Sequence, residues 1–185
     1  MAKPSLVLAH GMFHGPAHFG PLVEYLTKHG YSCVTLEMPY VHPNNGVYPT
    51  NLDQDIEVIR SALLLELDQG HDAILVAHSF SGAAALAAPE GLDTTSRTAA
   101  GKSTSVKAIV LMAAFMPSKG ESIADIVSRG AAGVAPDLQG EFLPNGAMHV
   151  KTNPGPVHFF YQDLPKDEAE TVSYTHLTLP TKRIV

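Results

Sequence analysis

The sequence predicts an α/β fold, a parallel sheet with helices packed on both faces. Two observations predict it. Short all-apolar runs alternate with segments of helical periodicity, in the order strand–helix–strand–helix–strand–helix–strand. Those apolar runs show no alternation of apolar and polar residues, as strands covered on both sides require. With 185 residues, 45% hydrophobic and 16% charged, the chain can bury one sizeable core.

Each element has its own signal. "SLVLA" at 5–9 reads as a strand that stops at His10-Gly11. Residues 16–30 carry Phe19, Leu22, Val23 and Leu26 at helical spacing. Lys28 and His29 fall in the last turn, with Gly30 as the stop. A second strand covers 31–38, and the Pro/Asn/Gly-rich stretch 39–49 is a loop. A long helix over 51–70 is capped by Thr50 or Asn51, carries Asp53 and Asp55 in its first turn, and buries Leu52, Ile56, Ile59 and Leu63. A third strand at 72–77, a small-residue helix at 80–90, a polar loop at 91–105 and a fourth strand at 106–114 follow. The pattern then changes. Residues 121–130 suit one helix, 141–150 a hairpin around Pro-Asn-Gly, and 154–170 short helical pieces. The expected division is a core at 1–114, a cap-like section at 115–170 and a tail at 171–185.

Charge and cysteine content exclude several classes. Twelve basic against eighteen acidic residues leave a net charge of −6, which argues against a nucleic-acid partner. The single cysteine, Cys33, permits no internal disulfide and reads as a small strand residue. No apolar run has the length of a secretory signal or a membrane span. The expectation is a soluble cytoplasmic protein without a membrane partner.

The chemistry concentrates in "LVAHSFSG" at 75–82. Ala77, His78, Ser79, Phe80 and Ser81 follow the pattern G-x-S-x-G with Ala and Ser in place of the two glycines. A strand running straight into a helix forces its central residue into a strained conformation and crowds the flanking positions, which must be small. The turn lifts the Ser79 hydroxyl clear of the sheet and aims the first amides of the helix at the same point. The plainer alternative is a helix cap by Ser79. "LVLAHGMFHG" then places His10-Gly11 at the end of the first strand, where parallel sheets bind ligands. From there the Met12 amide can face Ser79 and join the Phe80 amide in an oxyanion hole.

With these two motifs and the strand–helix order between them, the sequence resembles the α/β-hydrolase family, AB hydrolase-1 type. It is most similar to the small esterase and hydroxynitrile-lyase-like branch. The resemblance covers residues 4 to 170. It implies an α/β-hydrolase fold with Ser79 as nucleophile, Met12 and Phe80 as oxyanion donors, and His10, Gly11 and His78 as supporting motif residues. It implies hydrolysis of a small apolar carboxylic ester through an acyl-enzyme, without a cofactor. The alternatives are a lyase acting on a cyanohydrin, or a non-catalytic binder of a small ligand.

The resemblance also implies an acid and a histidine after the nucleophile, in that order. No strand ending in Asp follows 114, and the later histidines, His149, His158 and His176, read as cap or tail residues. The expectation is therefore a C-terminally truncated chain without turnover. Its Thr-rich end, "VSYTHLTLPTKRIV", is similar to translated adapter sequence and reads as non-native. An unpaired edge on the last strand would lower solubility.

Other constellations carry less. His10, His14 and His18 stand at i, i+4, i+8, one helical face able to hold zinc, but Gly11, Gly15 and Pro16 interrupt such a helix. The expectation is no metal. Gly11, Gly15 and Gly20 do not match G-x-G-x-x-G, and Glu37 alone supports a dinucleotide site. Phe142, Leu143, Phe159, Phe160 and Tyr161 either line a substrate pocket or form the cap's own core.

Overall fold

The structure, a computed structural model, describes residues 2–43, 46–130, 138–142, 148–152 and 155–173. It divides into two units, residues 1–126 and 127–185.

The first unit is built on four parallel strands: β1 (Ser5–Ala9), β2 (Cys33–Leu36), β3 (Ala73–His78) and β4 (Val106–Met112). Their spatial order is β2-β1-β3-β4. The chain runs from β1 out to β2, then returns across β1 to lay β3 on its other side. In open parallel sheets such a reversal marks the ligand-binding end, beyond the carboxyl ends of the strands, here β1 and β3.

Alternate side chains of the strands feed two cores. Leu6 and Leu8 of β1 and Val76 of β3 point to one face, where Phe19, Leu22, Val23 and Leu26 cover them. Val7 and Ala9, with Leu75 and Ala77, point to the other, against Ile59, Leu63 and Leu67. Helices on both faces explain why these strands read as continuous apolar runs.

The segment at 16–30 is a 3-10 turn, Pro16–Phe19, followed by α1 (Gly20–Lys28). Pro21, within its first turn, lacks an N–H to bond backwards, so the two pieces do not merge. Gly30 closes α1 at φ 77°, with its N–H on the Thr27 carbonyl and the Tyr31 N–H on Leu26. Helix α2 (Asp53–Asp68) starts after Asn51, whose side-chain oxygen accepts the Asp53 N–H at 3.1 Å. After a 3-10 turn at Ser79–Ser81, α3 (Gly82–Ala87) brings fully buried Ala84 and Ala85 onto the sheet. The stretch 91–105 corrects the sequence reading: it contains a helix, α4 (Thr94–Ala99). Its Ser and Thr residues are poor helix formers, but the Asp93 carboxylate accepts the Thr95 and Ser96 N–H groups at 2.9 and 3.0 Å. Arg97 is buried there, donating to the Thr104 carbonyl at 2.9 Å.

Helix α2 also buries Asp55. One of its oxygens accepts the Tyr40 N–H at 3.4 Å, and the other has no partner among the described residues. Burial pushes this carboxyl up to about 6. A raised carboxyl favours the folded state while protonated, and that advantage fades as pH rises through the folded value. Asp55→Asn is therefore expected to gain stability relative to the parent as pH rises from 4 to 7, by about 2 kcal/mol. Paired urea titrations across that range measure it; a constant difference contradicts a buried charge cost.

Helix α5 (Ile123–Gly130) bridges the two units in sequence. The second unit has a hairpin of β5 (Leu138–Phe142) and β6 (Met148–Thr152), paired antiparallel with Glu141 opposite His149. The expected Pro-Asn-Gly turn lies outside the described residues. Helices α6 (Pro156–Phe160) and α7 (Lys166–Ser173) complete the unit. Phe159 and Phe160 stack edge-to-face at 5.0 Å. Of the tail expected at 171–185, residues 171–173 belong to α7, and the rest lies outside the described residues. No described helix is long and apolar enough to cross a membrane.

Candidate active site

The β1–β3 register pairs Ala9 with Ala77. Two residues beyond each stand Gly11 and Ser79, so the sheet itself brings the two motifs level. The contact is close: a Cβ on Gly11 would lie 2.9 Å from Ser79 Cβ and 2.9 Å from His78 Nδ1. Only glycine leaves room for the turn after β1 to pass this near the serine.

Ser79 has φ 53°, in the left-handed region. Among the described residues two other non-glycine residues share it, Phe13 at φ 68° and Ala113 at φ 43°. All three sit just past the carboxyl ends of β1, β3 and β4. Each costs about 1–3 kcal/mol, and such strain persists where surrounding structure over-determines it. Here that structure is visible. The Ser79 carbonyl accepts the Phe115 N–H at 2.9 Å, tying the turn after β3 to the segment after β4. Gly82 admits that segment, since a Cβ there would stand 2.3 Å from the Phe115 carbonyl oxygen. The Phe80 ring packs on Tyr40 at 4.5 Å.

The turn after β1 is held by His10. Its Nδ1 lies 2.9 Å from the Gly11 carbonyl and its Nε2 3.3 Å from the Met38 N–H. Burial pushes the ring down to about 4, so at neutral pH it carries one proton. Both contacts then fit a single tautomer: Nδ1–H donates to Gly11 and Nε2 accepts from Met38. Because the peptide is planar, fixing the Gly11 carbonyl also fixes the Met12 N–H on the same plane. His14 is likewise pushed by burial to about 4, and burial lowers His78. The His14 and His18 rings meet edge-to-face at 4.7 Å. These two lie in a turn and a 3-10 turn, so His10, His14 and His18 do not share a helical face.

Among the described residues one group could hold a metal ion: His10, Glu37 and His42, with ligand atoms within 4.8 Å of one another. Both His10 nitrogens are already engaged, and a cation there would displace the Met38 N–H. Glu37 also pairs with His42 at 3.4 Å.

Among the described residues of the first unit, no imidazole or carboxylate hydrogen-bonds the Ser79 hydroxyl. His158 is exposed on α6 and His149 lies on β6 in the second unit, while His176 lies outside the described residues. Sequence reasoning missed Phe13, Ala113, Tyr40 and the Ser81 hydroxyl. Positive φ at a bulky residue and a contact between distant loops leave no local signal.

The profile of the alpha/beta hydrolase family matches residues 6–182. The alpha/beta hydrolase nvfD of Aspergillus novofumigatus is 35% identical over 92 residues, covering 50% of this chain and 36% of that protein. The probable hydrolase R7 of a Phoma species is 25% identical over 150 residues, covering 81% of this chain and 56% of its own length. The chain thus spans about a third to about half of these relatives. Among solved structures, polyneuridine aldehyde esterase superposes with a TM-score of 0.66 at 16% identity, covering 93% of this chain and 68% of its own. Tomato methylketone synthase I, complexed with 2-tridecanone, gives 0.64 at 16% identity, covering 94% and 66%. At that identity the likeness shows a common fold. The family match, the parallel sheet and the strained Ser79 turn agree: the chain belongs to the alpha/beta hydrolase family.

Proposed function

We propose that Ser79 is the nucleophile of a hydrolase acting on small carboxylic esters. The observation that carries this reading is Ser79 at φ 53° beyond β3, with Gly11 packed against its Cβ. A plain helix cap needs neither the strain nor the approach of a second loop. In this reading the Ser79 oxygen attacks the ester carbonyl carbon, and the Met12 and Phe80 N–H groups receive the developing oxyanion. Collapse expels the alcohol and leaves an acyl-enzyme, which water then hydrolyses. The small apolar acyl group is an inference from the family branch that the sequence resembles. The names of the two fungal relatives support hydrolysis without naming a substrate.

Serine needs a base to lose its proton as it attacks. None hydrogen-bonds Ser79 among the described residues of the first unit, so this polypeptide is expected to lack turnover. Stopped-flow mixing of the 185-residue chain with p-nitrophenyl acetate tests this. The expected trace shows no burst and matches that of Ser79→Ala. A stoichiometric burst lost in Ser79→Ala would show that a base is in place.

A further inference from the structure

We propose that Ser81 is a positioning residue that clamps the turn after β1, so that the Met12 N–H is aimed before substrate arrives. The proposal rests on the reading of Ser79 as nucleophile. In the pattern G-x-S-x-G, Ser81 stands where a glycine is usual. Ser81 is 3% exposed, and its hydroxyl donates to the His10 carbonyl, 71 positions away in sequence. A glycine there could offer that carbonyl nothing.

The geometry makes the bond consequential. Gly11 is flanked by two peptide planes. The first contains the His10 carbonyl and is held by Ser81. The second contains the Gly11 carbonyl and the Met12 N–H, and is held by the His10 ring. Glycine is the residue with the widest backbone freedom, and two ties, one on each side, remove it. The Gly11 carbonyl also accepts the His14 N–H at 3.3 Å, which closes the turn. Because Ser81 lies two residues past Ser79, the clamp couples the nucleophile's own turn to the loop that supplies the opposing donor. Preorganised donors act on the oxyanion and little on the ground state. The effect of Ser81 therefore falls on the rate of attack at Ser79.

The test compares the full chain with Ser81→Ala and Ser81→Gly; the glycine variant restores the usual residue and guards against misfolding. In isotope-labelled protein, both variants should shift the His10 carbonyl-carbon resonance upfield. The His14 amide should exchange about tenfold faster, while Val7 and Leu8 stay unchanged. Capture of Ser79 by a fluorophosphonate should slow about tenfold, less than deletion of a whole oxyanion donor. An unmoved His10 resonance with unchanged His14 exchange overturns the clamp. A moved resonance with unaltered capture overturns its positioning role. If the parent is not captured at Ser79 at all, the hydrolase reading fails separately, and the His10 and His14 signals alone decide whether the clamp exists.

Discussion

Gly11→Ala is expected to slow covalent capture of Ser79 by about 100-fold, the scale of losing an oxyanion-hole donor. The added methyl would sit 2.9 Å from Ser79 Cβ and 2.9 Å from His78 Nδ1, closer than real side-chain contacts allow. Neither neighbour can yield at low cost. Ser79 is fixed by the Phe115 N–H on its carbonyl, and His78 ends a strand paired with β4. The turn after β1 must therefore move, which swings the Met12 amide away and breaks the His10 contact with Gly11. Stability should fall by about 1–3 kcal/mol as well, the usual cost of overpacking. Capture rates measured beside urea midpoints separate the two effects. Unchanged capture would mean that this loop takes no part in the chemistry.

Gly82→Ala should destabilise the fold by about 3 kcal/mol, at the upper end for overpacking. Helix propensity predicts the opposite sign, since Ala is better than Gly inside a helix by about 1 kcal/mol. Sterics decide: the new Cβ would lie 2.3 Å from the Phe115 carbonyl oxygen and 2.8 Å from Ala114 Cβ. To clear it, the segment after β4 must withdraw, and the bond from Phe115 to the Ser79 carbonyl goes with it. Gly20 supplies the control. It is also helical, but a Cβ there meets nothing within 4 Å beyond its chain neighbours. Gly20→Ala should change stability by less than about 1 kcal/mol, since the gain in helix propensity is offset by the strain of a Cβ in the α region before Pro21. Chemical denaturation of both variants reads the contrast, and a stabilising Gly82→Ala would contradict the close approach.

Much of this architecture was legible because periodicity and burial are local in sequence. The double-sided runs at β1 and β3 named a parallel sheet before any contact was known. Leu22, Val23 and Leu26 announced the covering face of α1. Gly30 announced its end. The strained turn at Ser79 was legible for a related reason: crowding at a strand-to-helix junction imposes small residues at fixed offsets. Helix α4 was not legible, because its Ser and Thr residues have low intrinsic propensity and its stability comes from the Asp93 cap and buried Arg97. The ties that hold the site were hidden too. Ser81 looked merely small, and its bond to His10 joins residues 71 positions apart. Asp55 read as a dipole-friendly first-turn carboxylate, while packing against the Tyr40 loop buries it. Such facts depend on which loops meet, and only the assembled sheet decides that.

We propose that Ser79 is a nucleophile held ready by its turn. Intact-mass analysis and peptide mapping after incubation with a fluorophosphonate test it most directly, with Ser79→Gly as the control that keeps the left-handed backbone. One adduct is expected, on Ser79, formed slowly and absent from Ser79→Gly. An adduct elsewhere, or none on Ser79 after prolonged exposure, would contradict it and leave the turn as a binding scaffold.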